Sequence, residues 1–235
     1  MIISHKNRFI FYKPLKVAGS SVEAALIPQC GDADIITGSN IREEREKFGC
    51  VERNINLDYL AMGIHSHSSP QRVFRIFNEE WLEYYKFTIV RNPWDLIVSY
   101  FWWNSYQSSD TSITPDSSDT LEDLRDKFSR FIESIGVFKS GPRGTEGPVR
   151  VIDWLSSVTL EFYRNVDFVM KYENLQLYYE QVCNHLSLKR SVLPILKGNH
   201  RKSNIHYSEY YGEIEKIQVK LAFKDIIDNF KYGFK

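Results

Sequence analysis

Four short apolar segments, separated from one another by helical patterns, constrain the fold of this chain most strongly. They are RFIFY (8–12), YLAMGIH (59–65), KFTIV (86–90) and VDFVMKY (166–172). Their β-branched and aromatic residues are typical of strands, and strands that alternate with helices pair mostly in parallel. The sequence therefore predicts an α/β fold with a central, mainly parallel sheet flanked by helices.

Apolar residues recur at helical spacing in the segments between and after these strands. The predicted helices are SSVEAALI (20–27), PQRVFRIFNEEWLEYY (70–85), PWDLIVSYFWW (93–103), LEDLRDKFSRFIESI (121–135) and YSEYYGEIEKIQVKLAFKDIIDNF (207–230). For the third of these, Asn92 is a good N-cap, Pro93 suits the first helical position, and Asp95 lies in the favourable first turn.

No break in composition divides the chain, so we expect one domain over residues 1–235. Two stretches rich in Ser, Asp, Gly or Pro, 105–120 and 139–150, are predicted to be mobile loops. The formal net charge is +0, which does not suggest a broad electrostatic grip on nucleic acid or membrane.

Three widely spaced cysteines without a CxxC pair favour a reducing compartment over a disulfide framework or a zinc site. No apolar run approaches the roughly 20 residues of a membrane helix. The charged amino-terminal segment is unlike a signal peptide. We therefore expect a soluble, cytoplasmic protein without a membrane span.

The turn LKVAGSSVE (15–23) joins the first predicted strand to the first predicted helix. A tight turn that opens a helix directs backbone N–H groups and the helix dipole toward one point. Gly19 allows close approach, Ser20 and Ser21 offer hydroxyl groups, and Lys16 adds a full charge. The pattern indicates a phosphate site, although an ordinary strand-to-helix turn can have the same residues. The loop is not a Walker A sequence, because no lysine follows Gly19.

Two further groups of polar residues follow predicted strands, at the edge where open α/β sheets bind ligands. Arg91 ends one strand and Ser99 lies on the second turn of the next helix, so a guanidinium and a hydroxyl are available for a phosphate. His65 and His67 follow another strand, and histidine can accept a proton near neutral pH. Surface or packed side chains would explain each group alone.

Five segments, in order, resemble the motifs of sulfotransferases that use 3′-phosphoadenylyl sulfate (PAPS). FYKPLKVAGSSVE is similar to the P-K-T-x-G-T-S loop for the 5′-phosphosulfate, and KFTIVRNPWDLIVSYF to the 3′-phosphate segment R-[DN]-P-x-[DE]-R-x-x-S-x-Y. HSSPQRVF resembles H-x-x-[AP], and MKYENL resembles R-[FY]-E-[DN]-L. LPILKGNHRKSNIHYSEYYGEIEKIQVKLAFKDIIDNFKYGF resembles the family's carboxyl-terminal part. The resemblance covers residues 8–234 and is to the carbohydrate-type, chondroitin/dermatan-like branch with its bacterial relatives.

This resemblance implies a P-loop-like three-layer α/β/α fold and an enzyme that moves the sulfuryl group of PAPS to a hydroxyl. The acceptor would be a carbohydrate or another small molecule, the product adenosine 3′,5′-bisphosphate, and no metal would be needed. Lys16 would stabilise the leaving phosphate, and His67 would be the base, with His65 in reserve and Glu23 as a distant third.

The resemblance also implies a set of cofactor-binding residues. Residues 17–21 would hold the 5′-phosphate, Arg91 and Ser99 the 3′-phosphate, and 198–203 would close over the nucleotide. The full implied set is Lys16, Val17, Ala18, Gly19, Ser20, Ser21, Arg91, Ser99, Arg201, Lys202 and Ser203. A solvated basic loop would also explain 198–203. The loops 105–120 and 139–150, with the basic residues Lys139, Arg143 and Arg150, would form walls for an anionic acceptor.

The sequence departs from the family pattern at a few positions. Leu15 separates Pro14 from Lys16, and Leu96 stands where arginine is usual. Two other functions stay open. One is a P-loop kinase or related phosphotransferase, which needs ATP and Mg²⁺. The other is a module on the same fold that binds a nucleotide or glycan without catalysis.

Overall fold

The computed structural model describes residues 1–37, 63–75, 79–136, 148–196, 198 and 201–235. The chain divides into two compact units, and each unit is built from two separate chain segments. Unit 1 comprises Met1–Val90 and Glu161–Leu196, and unit 2 comprises Arg91–Leu160 and Lys197–Lys235. The single domain over residues 1–235 stays a prediction.

The regular elements of the described residues are strands, α-helices and short 3₁₀ turns. The strands are β1 (Ile2–Ser4), β2 (Phe9–Phe11), β3 (Ile35–Ile36), β4 (Tyr85–Val90), β5 (Ile135–Gly136), β6 (Val149–Arg150) and β7 (Phe168–Lys171). The α-helices are α1 (Gly19–Leu26), α2 (Pro70–Phe74), α3 (Pro93–Asn104), α4 (Leu121–Glu133), α5 (Val151–Glu161), α6 (Leu175–His185), α7 (Glu213–Ala222) and α8 (Lys224–Phe230). The 3₁₀ turns are Ile27–Gln29, Glu79–Glu83, Tyr172–Asn174 and Tyr207–Tyr210.

The sheet of unit 1 has five strands in the order β3-β1-β2-β4-β7. β4 pairs in parallel with both β2 and β7. β1 pairs antiparallel with both β2 and β3. The fold is therefore α/β, as predicted, but the sheet is mixed rather than mainly parallel. The antiparallel part was not predicted because β1 and β3 are too short to show a periodicity.

Three of the four predicted strands are confirmed. The segments 8–12, 86–90 and 166–172 contain β2, β4 and β7. Rings of β2 and β4 pack together in the core of unit 1, with the centroids of Phe11 and Phe87 5.2 Å apart. The predicted strand at 59–65 lies largely outside the described residues, and its last three residues form a turn and irregular chain.

The predicted helices within 20–27, 93–103 and 121–135 are confirmed as α1, α3 and α4. Asn92 caps α3 by accepting a hydrogen bond from the Trp94 N–H at 3.1 Å. The two longest predicted helices are confirmed only in part. α2 ends at Phe74, and residues 79–83 form a 3₁₀ turn instead of continuing a helix to residue 85. The segment 207–230 forms the turn Tyr207–Tyr210 and the helices α7 and α8. Gly212, which is extended (φ −83°, ψ 178°), lies just before α7, and Phe223 separates α7 from α8.

Unit 2 has a core of aromatic side chains from α3, α4 and the turn Tyr207–Tyr210. The Trp102 indole N–H donates to the Tyr210 hydroxyl at 3.0 Å, and the rings of Phe101 and Phe128 meet edge to face. Among the residues that the structure describes, no helix has the length and apolarity needed to cross a membrane.

Candidate functional site

The loop between β2 and α1 carries the predicted phosphate site. Lys16 and Ala18 both adopt the left-handed conformation, with φ of 58° and 60°. This conformation is uncommon outside glycine. The first hydrogen bonds of α1 run from the N–H groups of Ser21 and Val22 to the Ala18 carbonyl. The N–H groups of residues 17–20 find no acceptor within the described part of the chain. Backbone N–H groups without an acceptor at the start of a helix are donors of the kind that binds anions.

Gly19 makes room for a buried lysine that the sequence did not single out. A Cβ added at Gly19 would lie 3.0 Å from Lys13 Cδ and closer still to Lys13 Cγ. The lysine side chain crosses the first turn of α1 at this point and is only 3% exposed. Gly19 was expected to allow close approach of a phosphate, and the structure shows that it also allows close approach of Lys13.

The Lys13 ammonium donates to Glu23 on α1, and both side chains are buried. The amino group of Met1 contacts the other oxygen of the same carboxylate. Burial alone raises the pKa of Glu23, but the two cations reverse this effect and lower it. A buried carboxylate that is held by two cations is a poor proton acceptor. The structure therefore gives Glu23 the role of counter-ion and weakens its candidacy as a base.

The segment 63–69 positions the two histidines. The Ser68 hydroxyl accepts from the His65 N–H at 2.7 Å and donates to the Gly63 carbonyl at 3.2 Å, which closes the turn. Ser69 then caps α2. His67 Nδ1 lies 2.9 Å from the Lys13 carbonyl oxygen. Because a carbonyl can only accept, Nδ1 carries the proton and Nε2 keeps its lone pair.

His67 is consequently a neutral imidazole with an available nitrogen. Within the described residues, Nε2 makes no hydrogen bond. Burial, with the positive charge of Lys13, lowers the pKa of His67 to about 3. The side chain therefore stays uncharged through the neutral pH range, so Nε2 keeps its lone pair, but in the protein alone this nitrogen is only a weak base.

His65 is placed differently, because both of its ring nitrogens face donors. Nδ1 lies 3.1 Å from the His67 N–H, and Nε2 lies 3.3 Å from the Arg72 guanidinium. Burial and Arg72 lower the pKa of His65. Protonation of His65 would set a second positive charge against Arg72. Of the two histidines, His67 is the better placed to act as a base.

The serines of the loop are both buried in unit 1. Ser21 Oγ accepts from the N–H of Leu196 at 3.4 Å, a long hydrogen bond. Ser20 is 9% exposed and lies in the first turn of α1. Their hydrogen bonds to a phosphate stay predictions.

In unit 2, the structure brings together Arg91 and Arg201, which are 110 residues apart in sequence (201 − 91). Both bind the carboxylate of Asp95, in the first turn of α3. Arg91 contacts Oδ2 through Nε at 2.8 Å and Nη2 at 2.7 Å. Arg201 contacts Oδ1 through Nη1 at 3.4 Å, and its guanidinium lies over the Tyr210 ring. The formal charges of these three side chains, two cations and one anion, sum to +1.

The other predicted site residues of unit 2 make no hydrogen bond or ion pair to this cluster among the described residues. Ser99 is half-buried on the second turn of α3, as predicted. Lys202 is exposed, and the Ser203 hydroxyl accepts from the Ile205 N–H at 3.1 Å. Gly198 is exposed, and the two residues between it and Arg201 lie outside the described part.

The two predicted acceptor loops have different outcomes. Residues 105–120 contain no helix or strand, and Asp110 and Asp116 shape their turns by accepting from the N–H groups of Ser112 and Ser118. Residues 139–147, which include Lys139 and Arg143, lie outside the described part. Arg150 belongs to β6 and forms an ion pair with Asp153.

Sequence reasoning missed the supporting residues Lys13 and Asp95 in their present roles. Asp95 was identified only as a favourable first-turn carboxylate. Its position four residues after Arg91 was a usable signal, because that spacing suits an ion pair at the start of a helix. No comparable signal marked Lys13. Comparisons with protein-family models and with curated proteins find no match to this chain.

Proposed function

We propose that this chain is a PAPS-dependent sulfotransferase that moves the sulfuryl group to a hydroxyl of a carbohydrate or another small acceptor. The observation that carries the proposal is the loop before α1. It combines backbone N–H groups of residues 17–20, which have no acceptor in the described chain, with the charged Lys16. The resemblance assigns the 5′-phosphosulfate to the same residues. The finer fold, P-loop-like with three layers, is part of this proposal.

The first task of the site is to hold the leaving group. The reaction breaks the bond between sulfur and the bridging oxygen of the 5′-phosphate, and forms a bond between sulfur and the acceptor oxygen. Donors fixed in advance stabilise the charge that builds on the leaving oxygen, without reorganisation during the reaction. The N–H groups of the loop hold the phosphate, and Lys16 supplies the positive charge at the bridging oxygen.

The second task is to remove the proton of the acceptor hydroxyl. His67 Nε2 takes this proton, because the Lys13 carbonyl fixes the hydrogen on Nδ1. The low pKa of His67 is a property of the protein alone. Negative charge brought to the neighbouring loop by the donor raises that pKa and makes Nε2 more basic as the reaction is assembled. Arg91, Ser99 and residues 201–203 are assigned to the 3′-phosphate by the resemblance.

The first experiment separates the proposal from the kinase alternative. Adenosine 3′,5′-bisphosphate should raise the melting temperature by binding the folded state, and ATP with Mg²⁺ should have little effect. Greater stabilisation by ATP with Mg²⁺ would favour the kinase and overturn the proposal.

The second experiment tests catalysis with radiolabelled PAPS and a panel of glycans and small hydroxyl compounds. Lys16→Ala should lower turnover by about 10²–10³-fold, the usual loss for one transition-state donor. Lys6→Ala is the control, because it removes an exposed lysine from the turn between β1 and β2. His67→Asn should lower turnover while the bisphosphate still binds. Binding without transfer to any acceptor would favour the non-catalytic module instead.

A further inference from the structure

Asp95 holds two guanidiniums that come from distant parts of unit 2. Each carboxylate oxygen is taken by a different arginine, Oδ2 by Arg91 and Oδ1 by Arg201. Arg201 also donates from Nη2 to the Ile205 carbonyl, so the carboxylate and that carbonyl together fix the plane of its guanidinium. The side chains of Asp95 and Arg91 are only 17% and 10% exposed. The arrangement is a built cluster rather than a chance pairing of surface charges.

One donor in this cluster has no acceptor. Arg201 Nε is buried and makes no hydrogen bond in the described part of the chain. A buried N–H without a partner is costly, and such groups often mark the position of an ion or water. The unsatisfied Nε donor, on a guanidinium that is already held in place by Asp95, indicates that an anion completes the cluster.

We infer that Asp95 is a positioning residue, which aligns Arg91 and Arg201 so that they bind the 3′-phosphate of the nucleotide as a pair. This inference rests on the proposed function. It adds the origin of discrimination between nucleotides with and without the 3′-phosphate. Asp95 is suited to this role because it lies in the first turn of α3, where the helix dipole favours a carboxylate.

Positioning and simple neutralisation predict opposite results when the carboxylate is removed. Asp95→Asn changes the formal charge of the cluster from +1 to +2. If Asp95 only neutralises the arginines, the variant should bind an anion more tightly. If Asp95 positions them, the variant should bind more weakly, because an amide can accept from one guanidinium but presents N–H groups to the other.

The experiment measures the dissociation constants of adenosine 3′,5′-bisphosphate and adenosine 5′-monophosphate by calorimetry. For Asp95→Asn we expect about tenfold weaker binding of the bisphosphate and less than about twofold change for the monophosphate. Asp95→Glu should restore part of the preference. Asp126→Asn is the matched control, because Asp126 and Arg130 form an i,i+4 ion pair on the exposed surface of α4. That variant should keep the wild-type preference.

The possible results distinguish a failure of the proposed function from a failure of the positioning role of Asp95. A wild-type protein without preference for the bisphosphate overturns both the proposed function and the role of Asp95. A wild-type preference that Asp95→Asn retains or strengthens overturns the positioning role alone. An equal loss for both ligands, with a lower melting temperature, would show that Asp95 only stabilises the fold, and would also overturn it.

Discussion

Gly19→Ala tests whether the start of α1 is packed against Lys13 as the structure shows. The new Cβ would lie 3.0 Å from Lys13 Cδ and closer to Cγ, which cannot swing away as freely as the end of the side chain. Overpacking of this kind costs about 1–3 kcal/mol. Alanine returns at most about 1 kcal/mol through its better helix propensity. If the shift also separates Lys13 from Glu23, a buried ion pair is broken at a cost of about 3–5 kcal/mol.

The free energy of unfolding should therefore fall by up to about 3 kcal/mol if the ion pair is kept, and by about 3–8 kcal/mol if it is broken. Urea unfolding followed by circular dichroism measures it. Gly233→Ala is the matched control, because an added Cβ there meets nothing within 4 Å. That control should change stability by less than about 0.5 kcal/mol.

A second protein background tests whether the loss of stability comes from the contact between residue 19 and Lys13. In the double variant Lys13→Ala, Glu23→Gln, the methylene groups that cross Gly19 and the buried charge pair are both removed. Adding Gly19→Ala to this background should be neutral or slightly stabilising. An equal loss of stability in both backgrounds would refute the packing argument, since the cost would then not depend on Lys13.

Three further changes have definite expected results. Between pH 7 and pH 5 the wild type should lose about 1–2 kcal/mol of stability that His67→Asn does not lose. The reason is that the imidazole of the unfolded chain takes up a proton near pH 6.5, whereas the imidazole of the folded chain does so only at about pH 3. Urea unfolding at each pH measures the difference. Asp34→Ala should lower stability by about 3–5 kcal/mol in the same assay, because the fully buried carboxylate accepts from the Ser4 hydroxyl and three backbone N–H groups. Thr120→Ala should cost about 1 kcal/mol in thermal unfolding by removing the capping box of α4, and Thr120→Ser should restore it.

The parts of the fold that the sequence predicted are those with strong local patterns. β2, β4 and β7 are dense in aromatic and β-branched residues, and α4 has both an amphipathic pattern and a capping box. The antiparallel strand β1 was missed because three residues show no period. The break at Gly212 was missed because the apolar pattern continues through it, although glycine is a poor helix former.

In the candidate site, too, the features predicted from the sequence are those that depend on neighbouring residues. The loop at Lys16 and the cap at Asn92 were readable from adjacent residues. The choice of His67 over His65 depends on which ring nitrogen meets the Lys13 carbonyl, 54 residues away in sequence. The sharing of Asp95 by two arginines depends on tertiary packing, which no local pattern records.

The division of each unit between two chain segments has a consequence for the order in which the protein can fold. Unit 1 cannot complete its sheet until β7 has been made, after the whole of the first segment of unit 2. The cap of α3 is likewise finished late, because the Asn92 amide donates to the carbonyl of Gly233, 141 residues further along the chain. Contacts of such long sequence separation slow folding, since the loop must close before the contact stabilises anything. During synthesis, therefore, both units emerge from the ribosome incomplete. Each can be completed only after most of the polypeptide has been made.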